Sequence, residues 1–237
     1  ESQKPKIAMY VKRPFGEKLN ASFDFLKENW KLLLKFITYL LLPLCLIQAL
    51  SLNGLMSGAL SISAIASSTA MAASSSSLIA FGSYYGLYMF LYLIGIILLT
   101  SLVYGLIRTY NEREERLQGV TLGMLKPRLF RNIKRLLLMT GACILLVLFV
   151  GIFVGLLVAL TPFTLFLTIP FIIAFSVPLA LLAPIYLFED ITLMEAFKKT
   201  FRLGFATWGG VFLVSLLMGI IANVLQGVTM MPWYIAT

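Results

Sequence analysis

Leu136–Leu160 reads LLLMTGACILLVLFVGIFVGLLVAL, 25 residues with no charge and a single hydroxyl. About 20 apolar residues suffice for a helix to cross hydrocarbon, so this stretch reads as a membrane span. Working outward, the chain stays uncharged to Phe188, and it is equally uncharged from Phe36 to Ile107 and from Leu203 to Thr237. All 29 charged residues fall in Glu1–Lys35, Arg108–Arg135 and Glu189–Arg202. Charge is costly in hydrocarbon, and a soluble surface cannot be built without it. With 60% apolar and 12% charged residues, against about 25% charged in soluble domains, the chain is placed in the membrane class.

Five spans follow from the same rule: about Lys35–Leu52, Tyr84–Ile107, Leu136–Leu160, Phe163–Phe188 and Leu203–Gln226. Trp30, Tyr84, Tyr85, Trp208, Trp233 and Tyr234 stand at their ends, as interfacial aromatics do. The three clusters carry net charges of +4, +5 and 0 and alternate with uncharged connections. The positive-inside rule places them together in the cytoplasm, with the N-terminus inside. Thr237 then lies outside, and a sixth span beyond it is expected. Basic charge beside spans suits anionic lipid rather than nucleic acid, for which no reading motif is present.

Each cluster contains an apolar stripe at helical spacing that leads into an odd-numbered span. The stripes are Leu19, Phe23, Leu26, Trp30; then Leu122, Leu125, Leu129, Ile133, Leu136; then Leu193, Phe197, Thr200, Phe201, Phe205. Pro127 suits the first turn of the second helix. Thr192 and Glu195 have the spacing of a capping box at the start of the third. Such helices lie in the membrane interface. The expected architecture is an all-α polytopic bundle of five spans, six in full, with three cytoplasmic interfacial helices. The chain reads as one integral membrane domain over 1–237. An offset of 71 residues pairs Val120-Thr121-Leu122 with Ile191-Thr192-Leu193 and Phe130-Arg131 with Phe201-Arg202. Repeats over 15–107, 119–188 and 189–237 are the corresponding expectation, the last incomplete.

Between Ser51 and Ser83 the chain is uncharged and rich in Ser and Ala. It reads as an outer loop, with a short helix or hairpin tucked against the bundle as the alternative. Gly54 with Gly58, and Gly82 with Gly86, would permit close packing at its ends. Gly151 and Gly155 form a small-xxx-small pair in the third span, suited to contact within the chain before dimerisation.

There is no histidine, so the commonest metal ligand and general base is missing. Cys45 and Cys143 lie in apolar runs and read as buried small hydrophobes. Glu189 and Asp190 read as acids complementing a helix N-terminus rather than as a metal pair. No catalytic, cofactor or metal residue is assigned. Arg128, Arg131, Lys134 and Arg135 are the candidates for lipid headgroup contact. Pro170, Pro178 and Pro184 kink the fourth span. With Thr164, Thr168 and Ser176 they form the candidate hinge or cavity.

The run Phe188-Glu189-Asp190-Ile191-Thr192-Leu193-Met194-Glu195-Ala196-Phe197-Lys198-Lys199-Thr200-Phe201 resembles an element of the multi-span membrane domain associated with bacterial glycerophosphodiester phosphodiesterases and its stand-alone relatives. The resemblance implies six spans preceded by short amphipathic helices. It carries over no catalytic residue, because the soluble phosphodiesterase barrel has no counterpart in this chain. The expected function is a non-enzymatic scaffold or partner subunit in a bacterial inner membrane, contacting lipid through a basic cytoplasmic face. The alternative is a transporter or channel for a neutral or lipid-like solute that uses the fourth span.

Overall fold

A computed structural model describes residues 5–8, 11–66 and 74–236, without the side chains of 61–66, 74–77, 230 and 232–236. The side chains of the expected Trp233 and Tyr234 belt, and residues 67–73 of the Ser-rich segment, fall outside that description. The helices are α1 Phe15–Ala66, α2 Ser74–Glu112, α3 Leu122–Leu160, α4 Thr164–Leu179, α5 Leu182–Phe188, α6 Leu193–Ala206 and α7 Trp208–Ala236. Among the described residues five stretches are long and apolar enough to cross a membrane, with α4 and α5 together making one of them. The chain divides into two compact units, 1–134 and 135–237.

The first unit pairs α1 with α2 and adds the N-terminal part of α3. Its core gathers Phe25, Leu33 and Phe36 of α1, Leu102, Leu106 and Tyr110 of α2, Leu117 and Val120 of the connection, and Leu125 of α3. Phe25 meets the Tyr110 ring edge-on at 5.2 Å. This core lies at the charged end of the unit, where water supplies a hydrophobic driving force of about 1.5–3 kcal/mol per buried large side chain. Lipid tails supply no such force. The apolar middle of α3 accordingly has no buried residue, and neither has that of α7.

The buried face of α1 differs from the expected stripe. Phe25, Asn29, Leu33 and Phe36 turn inward, while Phe23, Leu26 and Trp30 are about half exposed. The helix has two apolar faces, one for protein and one turned out. On α3 the expected stripe does face the core, with Leu125 buried and Leu122 and Leu129 packed beside it. Pro127 stands in the second turn instead of the first. The helix begins earlier because the Thr121 carbonyl accepts from Met124 and Leu125.

The outer-loop expectation for 51–83 is overturned where the residues are described: α1 continues to Ala66 and α2 starts at Ser74. Lys35 to Ala66 measures about 46 Å at 1.5 Å per residue, beyond the roughly 30 Å of hydrocarbon. Polar composition did not prevent helix because Gly54 lets the helices close. A Cβ there would stand 2.5 Å from the Tyr84 ring, and one at Gly58 would touch Phe81 at 3.6 Å. Gly82 and Gly86 face open space.

In the second unit the fourth span breaks at Ala180–Leu181, between α4 and α5. Pro184 has no N–H for the Ala180 carbonyl. The turn tightens instead, with Ala180 and Leu181 donating to Val177 and Pro178 three residues back. Pro178 is buried against α6, where a Cβ on Gly204 would come within 2.5–2.7 Å of its Cβ and Cα. Phe175 of α4 meets Phe205 edge-on at 5.3 Å and Phe201 at 6.0 Å. Met139 and Cys143 pack with Leu179, Leu193 and Phe197 around Leu182, Ile185, Tyr186 and Ala196. Both cysteines are free thiols, and the burial expected of Cys45 does not hold, since it is exposed.

Candidate functional site

The side chains capable of chemistry collect at the charged ends of the helices. Within the first unit, Tyr110 donates to Glu28 at 3.1 Å and accepts from the Ile7 amide at 3.3 Å. Arg116 closes the group with a 2.6 Å ion pair to Glu28. This pair raises the Arg116 guanidinium above its ordinary value. It also anchors a residue held at φ 58°, a left-handed conformation costly for a side chain. The Lys6 ammonium donates to the carbonyls of Asn111 and Arg113 at 2.7 and 3.1 Å, neutralising the C-terminus of α2.

Arg128 donates to Thr109 Oγ1 at 2.9 Å and pairs with Glu112, which also holds Arg108 at 3.0 Å. The start of α3 is thereby tied to the end of α2. Arg131 and Lys134, further along α3, are exposed.

In the second unit Arg135 donates to the carbonyls of Tyr186 and Ile191, both at 2.7 Å. Its guanidinium lies 4.0 Å from the Tyr186 ring centre and 3.9 Å from Asp190. It thus holds the last turn of α5 and the entry to α6 with one planar fork. Lys199 pairs with Glu189 at 2.5 Å. The two acids next to α6 thus each face a cation. Among the described residues no three of His, Cys, Asp and Glu converge.

The four headgroup candidates divide. Arg128 and Arg135 hold protein partners, and Arg131 and Lys134 are exposed. The polar groups of the fourth span serve its own backbone. Thr164 donates to Thr161, Thr168 to Thr164 and Ser176 to Ile173, at 2.7–2.9 Å. Pro170 is exposed and Pro184 half-buried. A Cβ added at Gly151 or Gly155 would meet nothing within 4 Å among the described residues.

The capping box at α6 is complete. The Thr192 amide donates to the Glu195 carboxylate at 3.1 Å, and the Glu195 amide to Thr192 Oγ1 at 3.4 Å. The bond from the Thr192 amide, then that from its hydroxyl, holds the Glu195 carboxyl below the usual glutamate value.

A feature that sequence reasoning missed is the groove on the outer face of α1, about 580 Å³, which starts at Trp30 and ends at Pro43. The signal for it was the spacing of Lys31, Lys35, Thr38 and Leu42 along one line of the helix. No family model, curated protein or solved structure matches the chain.

Proposed function

We propose that the chain is a non-enzymatic component of a bacterial cytoplasmic membrane. It serves as a scaffold or partner subunit whose N-terminus and basic helix ends face the cytoplasm and hold anionic headgroups. One observation carries this reading. On α1, Phe23, Leu26 and Trp30 are exposed beside the exposed Lys27 and Lys31, on the side away from the buried Phe25, Leu33 and Phe36. On α3, Phe130 is 61% exposed beside Arg131. Exposed aromatics between cations are unfavourable in water and favourable at a headgroup boundary. The outward apolar residues of α1 and Phe130 of α3 thus act as interfacial segments. The resemblance around Glu189–Phe201 agrees with a membrane part that accompanies another protein.

Arg131 and Lys134 make the headgroup contacts in this reading. Native mass spectrometry of the intact chain, purified in mild detergent, should show the double variant Arg131→Gln/Lys134→Gln retaining severalfold less phosphatidylglycerol. Unchanged retention overturns the assignment. Orientation is tested by Lys134→Cys and Lys198→Cys, one at a time, in a chain lacking Cys45 and Cys143. Both should react with an impermeant maleimide only in inverted vesicles.

A second reading, passage of a neutral or lipid-like solute, draws on the break between α4 and α5. It predicts solute flux in proteoliposomes that Pro184→Ala alters, and an absence of flux removes it.

A further inference from the structure

We propose that α1 carries a dedicated site for one anionic glycerophospholipid, in the groove between Trp30 and Pro43. All of the groove's lining belongs to α1: Lys31, Lys35 and Thr38 at one end and in the middle, Leu42 and Pro43 at the other, Trp30, Leu34 and Tyr39 along the sides. Its 580 Å³ falls within the roughly 300–1,000 Å³ typical of small-molecule sites.

The order of chemistry along the groove decides the occupant. Lys31 and Lys35 are one helical turn apart on one face, both exposed. Among the described residues neither has an acidic partner, although Glu28, Glu112 and Glu189 are each engaged by an arginine or lysine. Lys31 is instead 5.8 Å from the centre of the Trp30 ring. Two cations a turn apart, one of them over an aromatic ring, present donors to a phosphate. The Thr38 hydroxyl, one turn further on, is exposed and adds a neutral donor.

Beyond Thr38 the polarity ends. Tyr39 and Leu42 are 67% and 53% exposed, and Pro43 takes one backbone donor out of the helix. From Lys31 to Pro43 the groove runs about 18 Å at 1.5 Å per residue, close to the roughly 15 Å of one leaflet's hydrocarbon. A cationic mouth followed by a short apolar stretch, in a groove whose whole length is close to one leaflet, matches a phospholipid with its phosphate at the lysines and an acyl chain that starts along Tyr39 and Leu42. A soluble phosphate would use the mouth and leave the apolar stretch without function, so the lipid is the assigned ligand.

This site rests on the membrane reading above but not on Arg131 and Lys134. The test reconstitutes the intact chain in phosphatidylcholine nanodiscs containing a minor share of acyl-brominated lipid, either phosphatidylglycerol or phosphatidylcholine. Trp30 emission is isolated as the difference between the wild type and Trp30→Phe. Brominated phosphatidylglycerol should quench Trp30 severalfold more than the same amount of brominated phosphatidylcholine. Lys31→Gln/Lys35→Gln should make the two lipids equal, Lys31→Arg/Lys35→Arg should keep the difference, and Arg131→Gln/Lys134→Gln should leave it intact. Equal quenching in the wild type, or a difference that survives Lys31→Gln/Lys35→Gln, overturns the site. Loss of the difference only with Arg131→Gln/Lys134→Gln transfers the preference to α3 and likewise overturns it.

Discussion

The indole N–H of Trp208 donates to the carbonyl of Ala174 at 3.0 Å. This is the carbonyl that Pro178, four residues on, leaves without its helical donor. The first residue of α7 thus repairs the defect that a proline makes in α4. An unsatisfied carbonyl in hydrocarbon is expensive, so the two residues are coupled through a group that belongs to neither.

Trp208→Phe should therefore lower stability by about 1–3 kcal/mol, read as the unfolding midpoint in mild detergent. Pro178→Ala restores an N–H to the Ala174 carbonyl but loses packing against Gly204. The double-mutant cycle cancels that packing loss. The Trp208→Phe penalty should be smaller in the Pro178→Ala background. An equal penalty in both would mean that Trp208 acts through packing alone, for which its stacking on Phe212 at 5.1 Å is the available contact.

Glycines of the second unit should separate sharply. At Gly204 an added Cβ meets Pro178 Cα at 2.7 Å, so α6 and α4 must move apart. Gly204→Ala should cost about 1–3 kcal/mol. Gly151→Ala meets nothing within 4 Å among the described residues and should leave the thermal midpoint of the purified chain in place. Equal effects would show that the close approach of α6 and α4 contributes nothing to stability.

Adjacent cations on α3 should behave oppositely. Arg135→Gln removes the donor for two carbonyls and should cost about 1.5–3 kcal/mol or more. Arg135→Lys should recover only part, because an ammonium lacks the planar fork. Lys134→Gln, one residue earlier and exposed, should stay within about 0.5 kcal/mol. Thermal melting of the three variants side by side decides the matter.

Local chemistry was the most legible part of the sequence. Thr192 and Glu195 carry their own geometry, and α6 starts where they require. The five apolar stretches were legible because lipid tolerates little else. The burial of α1 was not, because this helix has apolar residues on two faces. Hydrophobicity does not distinguish Phe23, which is exposed, from Phe25, which is buried. Nor does charge reveal its partner: Lys134 and Arg135 read alike until Arg135 meets the carbonyls of Tyr186 and Ile191. The 71-residue offset has a backbone counterpart. Gly119 and Asp190, 71 apart, have φ of 68° and 54°, and α3 and α6 begin three residues after them. Asparagine and aspartate tolerate this conformation better than most side chains, which explains why Asp190 can stand where Gly119 does.

Acid should loosen the start of α6. The Glu195 carboxyl lies below its ordinary value because the Thr192 amide and hydroxyl bond to its charged form. A group depressed in the folded state contributes stability above its unfolded value, about 4.3 for glutamate. That contribution is lost as pH falls through the lower folded value. Between about pH 6 and pH 3, the wild type should therefore lose more amide protection at Ala196 and Phe197 than Glu195→Gln does. Glutamine keeps an acceptor for the Thr192 amide and does not titrate, so its protection should be lower at neutral pH and flatter with acid. Hydrogen exchange of the detergent-solubilised chain reads both quantities. Parallel pH profiles for the two proteins would show that the carboxylate's charge plays no part in starting the helix.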